Sequence, residues 1–131
     1  MELYKSRFFG IKYFEESKTI YSFWVTEDMT IEQYKSELTI YANFCREYKP
    51  VNYLVNNSNS SFTITPDIQD WIVKNIFSLT MHKDAKKFAL VVSPDLFAQV
   101  SIEQVVDDNP NIIQTVYFDS DQSAWNWINN K

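Results

Sequence analysis

The stretch from Ile112 to Ile128 constrains this chain more than any other, because a strand, a cap and an aromatic helix follow one another in it without slack. Ile112, Ile113, Val116, Tyr117 and Phe118 are strand formers, with only Gln114 and Thr115 among them. Asp119, Ser120 and Asp121 end that run and offer oxygens to the free N–H groups of a new helix. Ala124, Trp125 and Ile128 then fall on one side of the helix, while Asn126, Asn129 and Asn130 face elsewhere. The same β-cap-α unit recurs upstream and sets the architecture.

Upstream, Arg7–Glu15 and Lys18–Thr26 read as two strands joined by a turn near Glu16-Ser17, an antiparallel hairpin. Phe9, Ile11 and Tyr13 share one face of the first strand, and Tyr21, Phe23 and Val25 share one face of the second. Phe8, Phe14, Ile20 and Trp24 lie on the opposite faces, so the hairpin is expected to be covered on both sides. Gly10, the only glycine, sits inside a strand, where it suggests a bulge or a close backbone approach. Thr30 with Gln33 forms a capping box. Ile31, Tyr34, Leu38, Tyr41, Cys45 and Tyr48 then draw one apolar stripe down a helix that Pro50 ends.

Val51–Asn56 reads as a buried strand, and Asn57–Ser61 as a polar loop. Thr65-Pro66-Asp67 starts a second helix that is expected to run to about Met81. Phe88–Val92 is a third apolar strand, and Ser93-Pro94-Asp95 starts a segment with a break near Ser101. The predicted order is β-β-α-β-α-β-α-β-α, an α/β fold with a mixed sheet. With 131 residues, the chain is predicted to form a single domain, residues 1–131.

Composition narrows the function classes. The 45% hydrophobic content supports a core without staples, and one cysteine excludes an internal disulfide. Met1–Lys5 leads into strand-like sequence with no apolar leader, which points to the cytoplasm. No apolar run approaches the roughly 20 residues that span a bilayer. Between Phe88 and Asn130 every charged residue is acidic, which disfavours nucleic acid. The basic cluster Lys83, Lys86 and Lys87 is expected to favour the C-terminal dipole of the second helix. Having one glycine excludes the Gly-rich phosphate loops.

Several of these segments together resemble the STAS-like fold of anti-sigma-factor antagonists, and within it the SpoIIAA-like proteins of bacteria. The matching residues are Tyr53-Leu54-Val55, Thr63-Ile64-Thr65-Pro66, and Phe88–Val92 running into Ser93-Pro94-Asp95-Leu96-Phe97. Tyr117-Phe118-Asp119 followed by Ala124-Trp125-Asn126-Trp127-Ile128 is the most specific part. The resemblance implies a non-catalytic binding or regulatory module, without cofactor, that works through protein–protein contacts, a homodimer among them. Antagonists of this family carry a phosphorylated serine at the start of the helix after the third strand. Here that region holds Ser58, Ser60, Ser61, Thr63 and Thr65 without an Asp-Ser-Ser-Gly-type motif, and a solvated loop accounts for them.

No catalytic constellation stands out. Cys45 lies on the apolar stripe, where a thiol is structural. His82 has no second histidine to complete a zinc site, and Asp107-Asp108 and Asp119 with Asp121 read as helix ends and caps. On the second helix, Ile68, Trp71, Ile72, Ile76 and Leu79 form the face toward the sheet. Val73, Phe77 and Met81 lie opposite, to be covered either by the chain itself or by a partner. A different class of function is the carriage of a small apolar ligand, with Phe8, Phe14, Trp24 and Trp127 lining a pocket between sheet and helices.

Overall fold

The aromatic and β-branched residues of the first 25 positions pair with one another before any helix intervenes. A computed structural model describes residues 1–25, 29–59, 66–77, 83–94 and 114–130, without the side chains of Gln69, Val73 and Phe77. Strands β1 (Glu2–Lys5), β2 (Phe9–Phe14) and β3 (Thr19–Val25) form an antiparallel run. The expected hairpin is β2–β3, with Phe9 opposite Trp24 and Tyr13 opposite Ile20. The expected order lacked β1, which makes the opening β-β-β. Leu3 and Tyr4 pack against the core, an apolar content too short to show as periodicity. Gly10 marks no bulge: it pairs with Lys5 and Phe23, and the register irregularity falls between Glu2 and Tyr4. A Cβ on Gly10 would meet only the Tyr4 carbonyl oxygen, at 4.0 Å.

Helix α1 (Ile31–Tyr48) opens on the expected capping box. Gln33 N–H donates to Thr30 Oγ1 at 3.1 Å, and Thr30 N–H donates to Gln33 Oε1 at 2.8 Å. Tyr34, Leu38, Tyr41 and Cys45 are buried along the stripe, whereas Ile31, the first helical residue, is exposed. Lys49 closes the helix in the left-handed region at φ 48°, its N–H on Cys45 O, because Pro50 disfavours one more α-helical residue before it.

Strands β4 (Asn52–Asn59), β5 (Lys87–Val91) and β6 (Gln114–Phe118) lie parallel to β3 and to one another. The described residues thus form a six-stranded mixed sheet whose spatial order is the chain order, β1-β2-β3-β4-β5-β6. Helix α2 (Pro66–Ile72) does not continue as an α-helix toward Met81. It passes into a π-helical turn, Val73–Phe77. Within it, Asn75 Nδ2 donates to Trp71 O at 3.0 Å. The segment expected to break near Ser101, with Asp107 and Asp108, lies outside the described residues, as does His82. Helix α3 (Asp121–Asn129) is capped by Ser120, whose Oγ accepts from Ser123 N–H.

The sheet carries helices on both faces. One face presents Phe9, Ile11, Tyr13, Ile20, Trp24 and Tyr53 to α1 and to Ile68 and Ile76 of α2 and the π-helical turn. The other presents Leu54, Ala89 and Val91 to Ala124 and Ile128 of α3. Alternation along β3 separates Ile20, Ser22 and Trp24 from Tyr21 and Phe23, so a single strand serves both cores. The Lys87 ammonium donates to the Trp127 and Asn130 carbonyls at 2.7 and 2.6 Å. It therefore serves the C-terminus of α3 rather than that of the second helix. Among the described residues no helix is long and apolar enough to cross a membrane.

Candidate functional site

Ser22 is a polar residue at the centre of an interior strand face, between Ile20 and Trp24 and opposite Ile11 on β2 and Val55 on β4. It is fully buried, and its hydroxyl has no hydrogen-bond partner among the described residues. The parallel arrangement brings α1 back over β3, and Tyr41 from the middle of that helix is 5% exposed. Its hydroxyl has no oxygen or nitrogen partner among the described residues, and the weakly accepting Cys45 thiol, one turn along, interacts with it. An unpaired buried hydroxyl costs roughly 1–3 kcal/mol, so that of Ser22 calls for an explanation.

Both residues line one cavity of about 170 Å³ between the sheet and the helices. Trp24, Val55, Phe88 and Leu90 form its floor on β3, β4 and β5. Tyr34 and Leu38 of α1, with Ile72 and Ile76 of α2 and the π-helical turn, form its roof. Asn57, half-buried near the end of β4, stands at its polar side. The cavity lies toward the carboxyl ends of the parallel strands, the region where open α/β sheets place their ligands. The π-helical turn above it is a feature found frequently at functional sites.

No charged side chain is among its described lining residues. Burial pushes the Tyr34 hydroxyl up to about 12 and the Tyr41 hydroxyl well above its ordinary range. Both phenols stay protonated at neutral pH. Burial likewise pushes the Cys45 thiol up to about 12, which leaves it a poor nucleophile. Among the described residues no cluster of His, Cys, Asp or Glu could hold a metal ion.

Of the four aromatic residues expected to line a pocket, the structure brings only Trp24 to this cavity. Phe8 is buried in the main core under the Arg7 guanidinium. Phe14 stands edge-on to Trp125 at 4.9 Å beside an open groove of about 620 Å³. Trp127 packs on Phe118 under α3. Ser58, expected in a regulatory loop, instead lies in β4, which runs on to Asn59; it is half-buried, and its N–H and Oγ both donate to Asn56 Oδ1 at 2.8 and 2.6 Å. Ser60, Ser61, Thr63 and Thr65 lie outside the described residues, as does Met81. Val73 and Phe77 lie in the π-helical turn, but their side chains are not described.

Sequence reasoning missed two features. Ser22 was legible as a polar residue on an interior strand position, a conflict of pattern that marks a site. Asp121 reads as a cap in the sequence, yet its carboxylate accepts from Tyr21 Oη at 2.7 Å and from Asn56 Nδ2 at 2.6 Å. This contact spans 100 residues of sequence and carries no local signal. No protein-family model, no curated protein and no solved structure matches this chain.

Proposed function

We propose that this chain is a non-catalytic, STAS-like binding module and that what it binds is a small uncharged ligand in the cavity beneath α1. The observation that carries the reading is the cavity itself, with apolar walls and two buried hydroxyls that have no oxygen or nitrogen partner among the described residues. Pockets for small molecules have this composition: mostly apolar walls and a few placed polar groups. Its size supports one compact ligand, since an apolar cavity of about 150 Å³ holds a benzene molecule. The STAS-like assignment is supported by the α/β order and the mixed sheet with helices on both faces.

Toluene, as a neutral probe of matching size, tests the reading. At ten times its Kd it stabilises the fold by about 1.4 kcal/mol, a rise in Tm of about 3–6 °C. Val55→Phe, which fills the cavity from the floor, abolishes the shift. No toluene-dependent shift in the wild-type protein sinks the reading.

A second reading, a module working through protein contact with a second copy of itself, rests on a different observation. Phe14 at the end of β2, edge-on to Trp125, and Val25 at the end of β3 stand 39% and 36% exposed on the α3 side of the sheet. Sedimentation at micromolar concentration decides it: a dimer that Phe14→Asp dissociates supports contact through this face, and a wild-type monomer removes it.

A further inference from the structure

Helix α3 is gripped at both ends by charged side chains, and its middle buries little. Of its nine residues Ala124 and Ile128 are buried, whereas α1 buries six along its stripe. Trp125 and Trp127 add half-buried ring contacts to Tyr21 and Phe118. At the first turn, the Asp121 carboxylate accepts from Tyr21 Oη on β3 and from Asn56 Nδ2 on β4. At the last turn, the Lys87 ammonium on β5 donates to the Trp127 and Asn130 carbonyls and, at 3.5 Å, to that of Ile128. It also lies 5.1 Å from the centre of the Trp127 ring. Hydrogen bonds to an ionised group are roughly twice as strong as neutral ones, so these two ties carry much of the hold.

We propose that α3 is a strap that opens and closes on the sheet as one unit, with Asp121 and Lys87 as its two clasps. The helix depends on the sheet for its own ends. It has no basic residue in its last turn, and Asn130 closes it with an extended backbone (φ −81°, ψ 124°) rather than a left-handed one. The free carbonyls of its C-terminus are met instead by Lys87 from another element. Away from the sheet, α3 loses that cap and that cation together. Nine residues also fall short of the ~12–15 that hold a helix in water, so docking and helix formation are one event. Helix α1 differs on each count, with its own capping box, a left-handed C-cap and Arg46 in its last turn. Opening removes the cover that α3 gives to Leu54, Ala89 and Val91, an apolar strip of the sheet. No α3 residue is among the described lining of the cavity beneath α1, so the strap acts independently of the small-ligand reading.

Native-state hydrogen exchange on the full chain, read by NMR across a series of sub-denaturing urea concentrations, tests the proposal. The amides of residues 125–129 are expected to exchange through one shared opening. That opening is at least about 10-fold more frequent than the one that exposes residues 53–55 of β4, and its urea dependence is shallower. Lys87→Met keeps the stem and removes the ammonium, and Asp121→Asn removes the charge. Each is expected to speed the shared opening by at least about 10-fold. Exchange of α3 at the rate and urea dependence of β4 overturns the proposal, because the helix then opens only with the whole fold. Amides that exchange one after another from Asn129 inward overturn it too, since that is fraying. A variant that leaves the α3 rate unchanged shows that its side chain is no clasp and overturns it as well. If neither variant folds, the wild-type exchange alone decides.

Discussion

Replacing Ser22 by alanine reverses the usual outcome of shrinking a buried side chain. The Ser22 hydroxyl is fully buried and has no partner among the described residues, so folding strips it of water without return. That penalty is about 1–3 kcal/mol, and the substitution removes it. Against it stands a slightly larger cavity. Loss of one oxygen, on the order of 10 Å³, costs about 0.2 kcal/mol at ~24 cal/mol per Å³. The difference in strand preference between serine and alanine is small beside both. Ser22→Ala therefore stabilises the unliganded protein by about 1–2 kcal/mol. The assay is equilibrium urea unfolding followed by tryptophan fluorescence, with a raised midpoint and an unchanged slope. A loss of 1 kcal/mol or more refutes the reasoning, because it means the hydroxyl is satisfied in the unliganded protein.

Tyr41→Ala, in contrast, deletes a buried ring under α1 that stands edge-on to Phe9 and lowers stability by roughly 2–4 kcal/mol in the same urea assay. Alkaline pH destabilises the fold. Burial raises Tyr21, Tyr34, Tyr41, Tyr53 and Cys45 above their ordinary values, so these groups keep their protons when folded and release them when unfolded. The raised groups favour folding fully below the unfolded values of about 9–10, and the advantage is lost as pH rises above them. Unfolding midpoints that hold steady between about pH 8 and pH 11 contradict this. Asp121→Asn leaves Tyr21 with a weaker acceptor and sets an amide against the Asn56 amide, for a loss of about 1.5–3 kcal/mol in thermal or urea unfolding. In the native protein Cys45 is expected to react with a thiol reagent only at the rate of unfolding.

Local chemistry made most of the fold legible. The Thr30 and Gln33 box and Pro50 bound α1 in the sequence as they do in the structure, because caps and prolines act on their immediate neighbours. The apolar runs around Tyr53 and Phe88 read as buried parallel strands for the same reason, since both faces are covered. Glu2–Lys5 escaped because a four-residue strand has too few side chains to show a period, and it is ordered by pairing with β2. The π-helical turn escaped because a π-helical register leaves no period in the sequence that differs from a short α-helix, although the Asn75 amide donates to the Trp71 carbonyl there. The cavity was half legible. Trp24 was on the right face, but Phe14 and Trp127 belong to the α3 side of the sheet, and strand alternation alone does not say which side holds the space.

The strand order has a consequence for how the chain reaches its structure. Every neighbouring pair in the sheet is also a consecutive pair in the chain, so the sheet can grow by accretion, each new strand docking on the one completed just before it. Each parallel docking step still has to close a long crossover, as α1 does between β3 and β4. The exception to consecutive pairing is the last helix. Its Asp121 reaches back across 100 residues to Tyr21, and its Ala124 and Ile128 cover Leu54, Ala89 and Val91. Among the described residues, α3 is the helix that covers those three side chains. The last described helix thus acts as a latch that ties the end of the sheet back to β3, β4 and β5.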